Sequence, residues 1–423
     1  MKALVLVCFF FCLQALAQPT WQVTNTSANP NNQRFDDVFF INDNVGWAAN
    51  GYYASVYKTT DGGKNWTEQL NETDLGGNYY FRNIEFLNEN IGFLGTLNNT
   101  FFKTIDGGNN WTEITNISPN PPAICGIETV GTSTVYACGA YFTPAQIIKS
   151  TDSGNTWQSI DMSAYANALV EILFLTEDLG FASGRSNNGA TILKTTDGGV
   201  SWTEIYNSNS SGEYVWKMQV LDSNPNIIFG AIESVSPNPG KLVKSIDGGT
   251  TWTSYNAPET SIQAVGFITE NHGWMGGHTT GFHETLDGGQ TWTNLNTGSN
   301  LNRIFIINST LAYASGTSVY KYTEETLNTD SIKERDRLDL AVRLENNPVS
   351  SILTFDITFE SDDNLLIELY DVNGALIRQL TRDRVYSKSI KKYSFNVEDL
   401  ASGGYLINFH NNTGRQSLKF IKN

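Results

Sequence analysis

Asp36, Asp37 and Glu171 are the carboxylates whose positions best suit chemistry. Two carboxyl groups on either side of a sugar supply the acid and the base or nucleophile of glycoside hydrolysis. Arg34, Arg82 and Arg303 suit a different task. A guanidinium binds a carboxylate or phosphate through paired N–H donors. Trp216, Gln263 and Asn302 fall at equivalent places in other segments and would add a stacking face and amide hydrogen bonds. Other catalytic devices find no support. The chain has no G-x-S-x-G elbow and no phosphate loop ending in GK[ST]. Its histidines are His272, His278, His283 and His410, and HGWMGGH and HTTGFH lack the helical spacing of a zinc protease. No catalytic residue, metal ligand or cofactor is therefore assigned.

The equivalence of these positions comes from a repeat. KTTDGGKNW, KTIDGGNNW, KSTDSGNTW, KTTDGGVSW, KSIDGGTTW and ETLDGGQTW place Asp61, Asp106, Asp152, Asp197, Asp247 and Asp287 five residues before Trp66, Trp111, Trp157, Trp202, Trp252 and Trp292. The Asp-to-Asp steps are 45, 46, 45, 50 and 40. That period fits a propeller blade or a helical pair. The intervening stretches decide for strands. VFFINDNVGWAANG, IEFLNENIGFLGT and VGFITENHGWMGG are short apolar runs broken by Asn, Asp and Gly, the pattern of hairpins. Four strands per repeat, set radially, predict an all-β propeller. In each box the Asp would bond its own turn, the glycines would take positive φ, and the Trp would pack between blades.

Six boxes leave one blade incomplete. Leu301–Tyr322 has three strand-like runs and no box, whereas Pro19-Thr20-Trp21-Gln22-Val23 resembles a strand that follows a box. Together they predict a seventh blade closed by both ends. Aligning the inner strands gives two sets of positions at the channel entry. One is Asp36, Arg82, Cys125, Val170, Trp216, Gln263 and Asn302; the next is Asp37, Asn83, Gly126, Glu171, Lys217, Ala264 and Arg303.

Composition bounds the partners. The chain has 423 residues, 40% hydrophobic and 12% aromatic, enough to bury a large core. Its net charge of −16 and pI near 4.7 argue against nucleic acid and anionic lipid. Residues 1–17 read as a signal peptide, with Lys2, an apolar run and an Ala-Leu-Ala cleavage site. No other run is long and apolar enough to span a bilayer, so no transmembrane segment is expected in the mature protein. Loss of the leader leaves Cys125 and Cys138. Near-symmetry about the turn at Gly131 admits a disulfide, and two small buried hydrophobes are the other reading. Residues 18–322 carry 13 Lys and Arg against 27 Asp and Glu, and six of their 13 Asp are box residues. Much of the acidity is thus turn architecture.

Composition shifts after Tyr322. Residues 323–337 are polar and charged and read as a linker. Residues 338–423 hold alternating runs split by Asn-Gly and Ser-Gly-Gly turns, which predict a small β-sandwich.

The D-G-G-x-x-W boxes resemble Asp-boxes, also called bacterial neuraminidase repeats. With the G-W-A and G-F segments they resemble the photosystem II stability and assembly factor family of seven-bladed propellers, an arginine-bearing family. Sortilin-type receptors and xyloglucan-degrading glycosidases share the box. A sialidase is not implied, because the F/Y-R-I-P signature is absent and arginines are few. Asn347-Pro348, Tyr370-Asp371-Val372-Asn373-Gly374, Gly403-Gly404-Tyr405 and Lys419-Phe420-Ile421-Lys422 resemble the type A C-terminal sorting domain of type IX secretion in Bacteroidetes. This resemblance implies two partners, the outer-membrane translocon and its sorting peptidase, and a protein that is secreted or attached to the cell surface. The expected function is non-catalytic binding or scaffolding of a protein or glycan ligand. The alternative is a glycoside hydrolase or carbohydrate-binding protein working at the channel mouth.

Overall fold

The computed structural model describes the chain apart from residues 1–17, 25–31, 140, 143, 326, 328–339, 360–362, 372–374, 388 and 412–414. The leader, Gly374 and most of the linker lie outside the described residues. Among the described residues every regular element is a β-strand. They form two units, divided between Leu327 and Asn328.

The first unit is built of seven four-stranded antiparallel sheets. Their inner strands begin at Phe35, Phe81, Gly126, Ala168, Tyr214, Ile262 and Arg303. Each inner strand packs against the next, and the seventh packs against the first, so the sheets ring a central axis. The seventh sheet takes Arg303–Asn308, Leu311–Ser315 and Val319–Thr323 from one end of the unit and Thr20–Val23 from the other. Trp21 pairs with Tyr322. Its indole stacks on Phe282 at 4.1 Å and meets Trp274 edge-on at 5.5 Å. This closure covers the strand edge that the three-stranded remainder would expose. Gln22 also secures the chain beyond the last strand, donating to the Glu325 carbonyl and accepting from the Leu327 amide.

The glycine–aromatic pairs have a packing cause. Gly46 pairs with Phe40 across the first hairpin. A Cβ at 46 would lie 2.6 Å from the Phe40 ring, and Gly92, Gly180 and Gly273 stand in the same relation to Phe86, Phe174 and Phe267. Without a side chain the backbone lets the ring lie on it. The other face of the ring takes an aromatic from the second strand of the preceding sheet. Trp47 stacks on Phe86, Tyr136 on Phe174, Phe229 on Phe267 and Tyr313 on Phe40, with centroids 3.5 to 3.8 Å apart. The Tyr313–Phe40 pair joins the last sheet to the first. Each such pair contributes about 0.5–1.5 kcal/mol beyond its burial.

The box turns are locked by a hydroxyl and a carboxylate. Thr59 donates to Asp61 at 2.9 Å and accepts the Gly63 amide, while Asp61 accepts the Asn65 amide. The carboxylate of Asp106, Asp152, Asp197, Asp247 and Asp287 is held the same way. Gly62 and Gly63 have φ of 69° and 80°, where a side chain would be strained. Side-chain hydroxyls of Ser201, Thr251 and Thr291, aided by backbone amides, pull Asp197, Asp247 and Asp287 down to about 2. These carboxylates support the fold above about pH 4 and cease to as pH falls through about 2. The box tryptophans sit at the seams. Trp66, Trp111, Trp157 and Trp202 meet Phe40, Phe86, Phe93 and Phe174 edge-on; Trp252 lies against Tyr206, and Trp292 borders the core holding Phe267.

Of the two readings open for the cysteines, the structure has both thiols free and buried. The hairpin pairs Cys138 with Gly126, so Cys125 lies one step out of register and only its amide bonds the Cys138 carbonyl. The two thiols still lie near each other: a Cβ at Gly126 would stand 3.1 Å from the Cys138 sulfur, and burial and then Cys125 push the Cys138 thiol well up.

The second unit has two sheets around one core that includes Phe355, Ile367, Phe409 and Phe420. Asn347 accepts the Ile421 amide at 2.9 Å, and Val349, just after Pro348, bridges to Lys422. Asp371 accepts the Ala375 amide at 2.9 Å. Gly404 pairs with Ile421, Tyr405 stacks on Phe420 at 5.7 Å, and Lys419 is exposed on the last strand. Most of the tail motif thus converges on the terminal strand.

Candidate binding site

A β-bulge recurs in the inner strands. Their pairing skips Asp36, Arg82, Val170, Trp216 and Gln263. A bulge lets two consecutive residues share the side that normally takes one. Both aligned sets therefore find partners across the axis, in two layers.

The outer layer is the mouth. Asp36, fully buried, accepts from Arg34 at 2.8 Å and from Arg82 at 2.7 Å. Arg34 also donates to Gln263 at 2.9 Å, and Gln263 donates to Glu233 at 3.2 Å. The Asn302 amide bonds the Asp36 carbonyl. Arg82 lies over Trp216 at 5.5 Å, Trp216 stacks on Tyr214 at 5.3 Å, and Arg185 lies over Tyr214 at 4.6 Å. Arg82, Trp216, Tyr214 and Arg185 form one stack. Tyr214 donates to the Tyr141 carbonyl, and Tyr141 and Phe142 are exposed at its edge. Crowding at its base and the nearby Arg34 and Arg82 guanidiniums push His278 down to about 4, although its outer edge is exposed. It stays neutral beside the arginines.

The inner layer is a salt-bridge chain. Arg303 approaches Asp37 and Glu171, each at 3.5 Å, and Lys217 pairs with the other Glu171 oxygen. Asp37 also accepts the Ile84 amide at 2.9 Å. Burial raises the Asp37 pKa, with Arg303 and Lys217 opposing.

Below this layer the axis opens into a cavity of about 450 Å³, lined by Glu85, Glu128, Glu171, Lys217 and Arg303 among others. It lies toward the face that carries the boxes: the cavity reaches Ile41, and the box amide of Gly62 bonds the Asn44 carbonyl in the same hairpin. Burial pushes the Glu85 carboxyl up to about 8, against Arg303 and with a further push from Asp37. Glu128 is raised well above the carboxylate range by burial and then by Glu85.

A raised acid favours the folded state while it is protonated. The folded state then binds more protons than the unfolded one between about pH 4.5 and 8, so stability falls as pH rises through that window. Glu85→Gln should flatten this slope, stabilising the protein by about 1–3 kcal/mol at pH 8.5 and hardly at all at pH 4. Urea midpoints at the two pH values measure it.

The structure divides the sequence-selected residues. Asp36, Arg82, Trp216, Gln263 and Asn302 meet at the mouth with Arg34, whereas Asp37, Glu171 and Arg303 meet one layer deeper. Asp36 and Glu171 do not face each other as a free acidic pair; each has cationic partners. Arg34, Arg82 and Arg303 likewise do not form one cluster. Arg185 and Tyr214 at the mouth, and Glu85 and Glu128 below it, join these from outside the aligned entry positions. Glu85 and Glu128 lie two residues beyond Asn83 and Gly126, so strand alternation points to them. Among the described residues no group of three His, Cys, Asp or Glu could hold a metal ion.

A ring of four-stranded sheets around such an axis is a β-propeller. Residues 13–160 match the family described as photosynthesis system II assembly factor YCF48, and residues 347–423 match the secretion system C-terminal sorting domain. YCF48 from Cyanidioschyzon merolae is 18% identical, with a TM-score of 0.57 over 72% of this chain and 98% of that one. YCF48 bound to D1 peptide is 20% identical, with a TM-score of 0.54 over 71% and 99%. The extracellular domain of the hybrid two-component system BT4673 from B. thetaiotaomicron is 12% identical, with a TM-score of 0.52 over 92% and 56%. These likenesses show the fold. No curated protein matches. The sorting domain marks the chain for type IX export to the cell surface or extracellular space. No described helix is long and apolar enough to cross a membrane.

Proposed function

We propose that this is an exported binding protein whose mouth holds an acidic segment of another polypeptide. The Arg82–Trp216–Tyr214–Arg185 stack, with Arg34 beside it, carries the reading. Three guanidiniums gather there on a protein of net charge −16. Asp36 neutralises one of them, and the stacked rings offer peptide side chains an apolar face. The similar propeller solved with a peptide supports a polypeptide ligand. The glycoside hydrolase alternative needs two carboxylates free to flank a sugar. Asp36, Asp37 and Glu171 are all engaged by cations. In this reading the tail engages the translocon and the sorting peptidase, and the propeller is the delivered cargo.

Fluorescence anisotropy with acidic and neutral peptides, beside a glycan array, tests the proposal. Acidic peptides should bind, weaken with salt, and lose at least about tenfold in affinity in Arg185→Glu with the melting temperature unchanged. Arg185 makes no salt bridge among the described residues, so its loss should spare the fold. Reducing-sugar release that disappears in Asp36→Asn or Glu171→Gln would overturn the reading in favour of the hydrolase.

A further inference from the structure

We propose that the axial cavity on the box-bearing face is a second ligand site, built for a small organic cation with an apolar body. It is separate from the mouth, being divided from it by the Asp37–Arg303–Glu171–Lys217 layer. Its volume of about 450 Å³ falls within the size of small-molecule sites.

The charges identify the ligand class. Four carboxylates, Asp37, Glu85, Glu128 and Glu171, surround two cations, Arg303 and Lys217. The cations are taken by Asp37 and Glu171. Glu85 and Glu128 have no ion pair among the described residues. Glu85 is only 5% exposed, and the Thr129 hydroxyl reaches it at 3.3 Å while also facing the Phe86 carbonyl. A buried carboxyl thus lines the cavity without an ion pair of its own, feeling Arg303 only at longer range while that guanidinium is held by Asp37 and Glu171. Asp222 adds a further acid to the lining. An anionic ligand would meet paired cations and surplus carboxyls, and is disfavoured. A metal ion is disfavoured too, since no three ligating side chains converge among the described residues. Phe39 lies against Phe86 and Phe305 in the lining, with centroids 6.4 and 5.5 Å apart. Aromatic faces beside carboxylates suit an ammonium carried on an apolar group. Glu85, held protonated near neutrality, would lose its proton as the ammonium enters.

Isothermal titration of the full chain tests this, with phenethylamine, choline and spermidine as cations and 2-phenylethanol as the neutral control. The expected result is binding of at least one cation tighter than about 1 mM at pH 7. Buffers of different ionisation enthalpy should report release of up to one proton per ligand. Glu85→Gln and Glu85→Gln/Glu128→Gln should each weaken binding at least about tenfold while thermal melts show a folded protein. Arg185→Glu, at the mouth, should leave it unchanged. No binding by any cation, equal binding of 2-phenylethanol, or unchanged affinity in the double variant would each overturn the proposal.

Discussion

Asp36→Ala should destabilise the propeller by about 3–5 kcal/mol and lower its melting temperature by roughly 10 °C. Asp36 is the shared acceptor of Arg34 and Arg82, and Arg82 is only 5% exposed. Removing the carboxylate strands two guanidiniums side by side with water largely excluded. The cost is that of an uncompensated buried charge, larger than the worth of the pair itself. A second substitution separates these. In Asp36→Ala/Arg82→Met the buried charge is gone and a flexible apolar chain fills the space over Trp216. Most of the lost stability should return. A double variant as unstable as the single one would show that Asp36 matters for shape and not for charge. Asp36→Asn should fall between them, because it keeps an acceptor oxygen and loses the charge.

This pairing also shows where sequence reading stops. The boxes, the alternating runs and Trp21 each carry their structure locally. A turn needs its own Asp and Gly, and a strand needs its own alternation, so period and composition reveal them. The entry positions could also be aligned, because every repeat offers the same place. The partners at those positions could not. Asp36 reads as a candidate acid until Arg82, 46 residues away, is placed beside it by the packing of the first two inner strands. The bulge hides in the same way. Asp36 and Asp37 are neighbours that ordinary alternation sends to opposite sides, and only the skipped pairing brings both inward. The symmetric numbering of Cys125 and Cys138 misleads in the same way, because Cys138 pairs with Gly126 and not with Cys125. Arg185 lies at the end of a second strand, and only the fold brings it over Tyr214.

Deletion of residues 338–423 should abolish appearance at the cell surface and leave a folded propeller in the periplasm. The two halves of this outcome rest on separate observations. Folding rests on each unit having its own core: the second unit's core runs from Val349 to Phe420, and the propeller's clusters draw only on residues up to Tyr322. Its ring is closed by Thr20–Val23, which the deletion spares. The melting temperature of the truncated protein should therefore stay within a few degrees of the full chain's first transition. Export rests on the tail. Asn347, Val349 and Ile421 join the two ends of the sorting domain through its terminal strand, so that strand is presented in one fixed setting. Asn347→Ala removes the acceptor for the Ile421 amide and should cost about 1 kcal/mol within the tail alone. Export should drop in that variant, while binding at the mouth, measured on purified protein, should not. Truncated protein found on the cell surface would defeat the sorting role. Truncated protein found unfolded in the periplasm would show instead that the propeller depends on its tail, and would leave export untouched as an explanation of the rest.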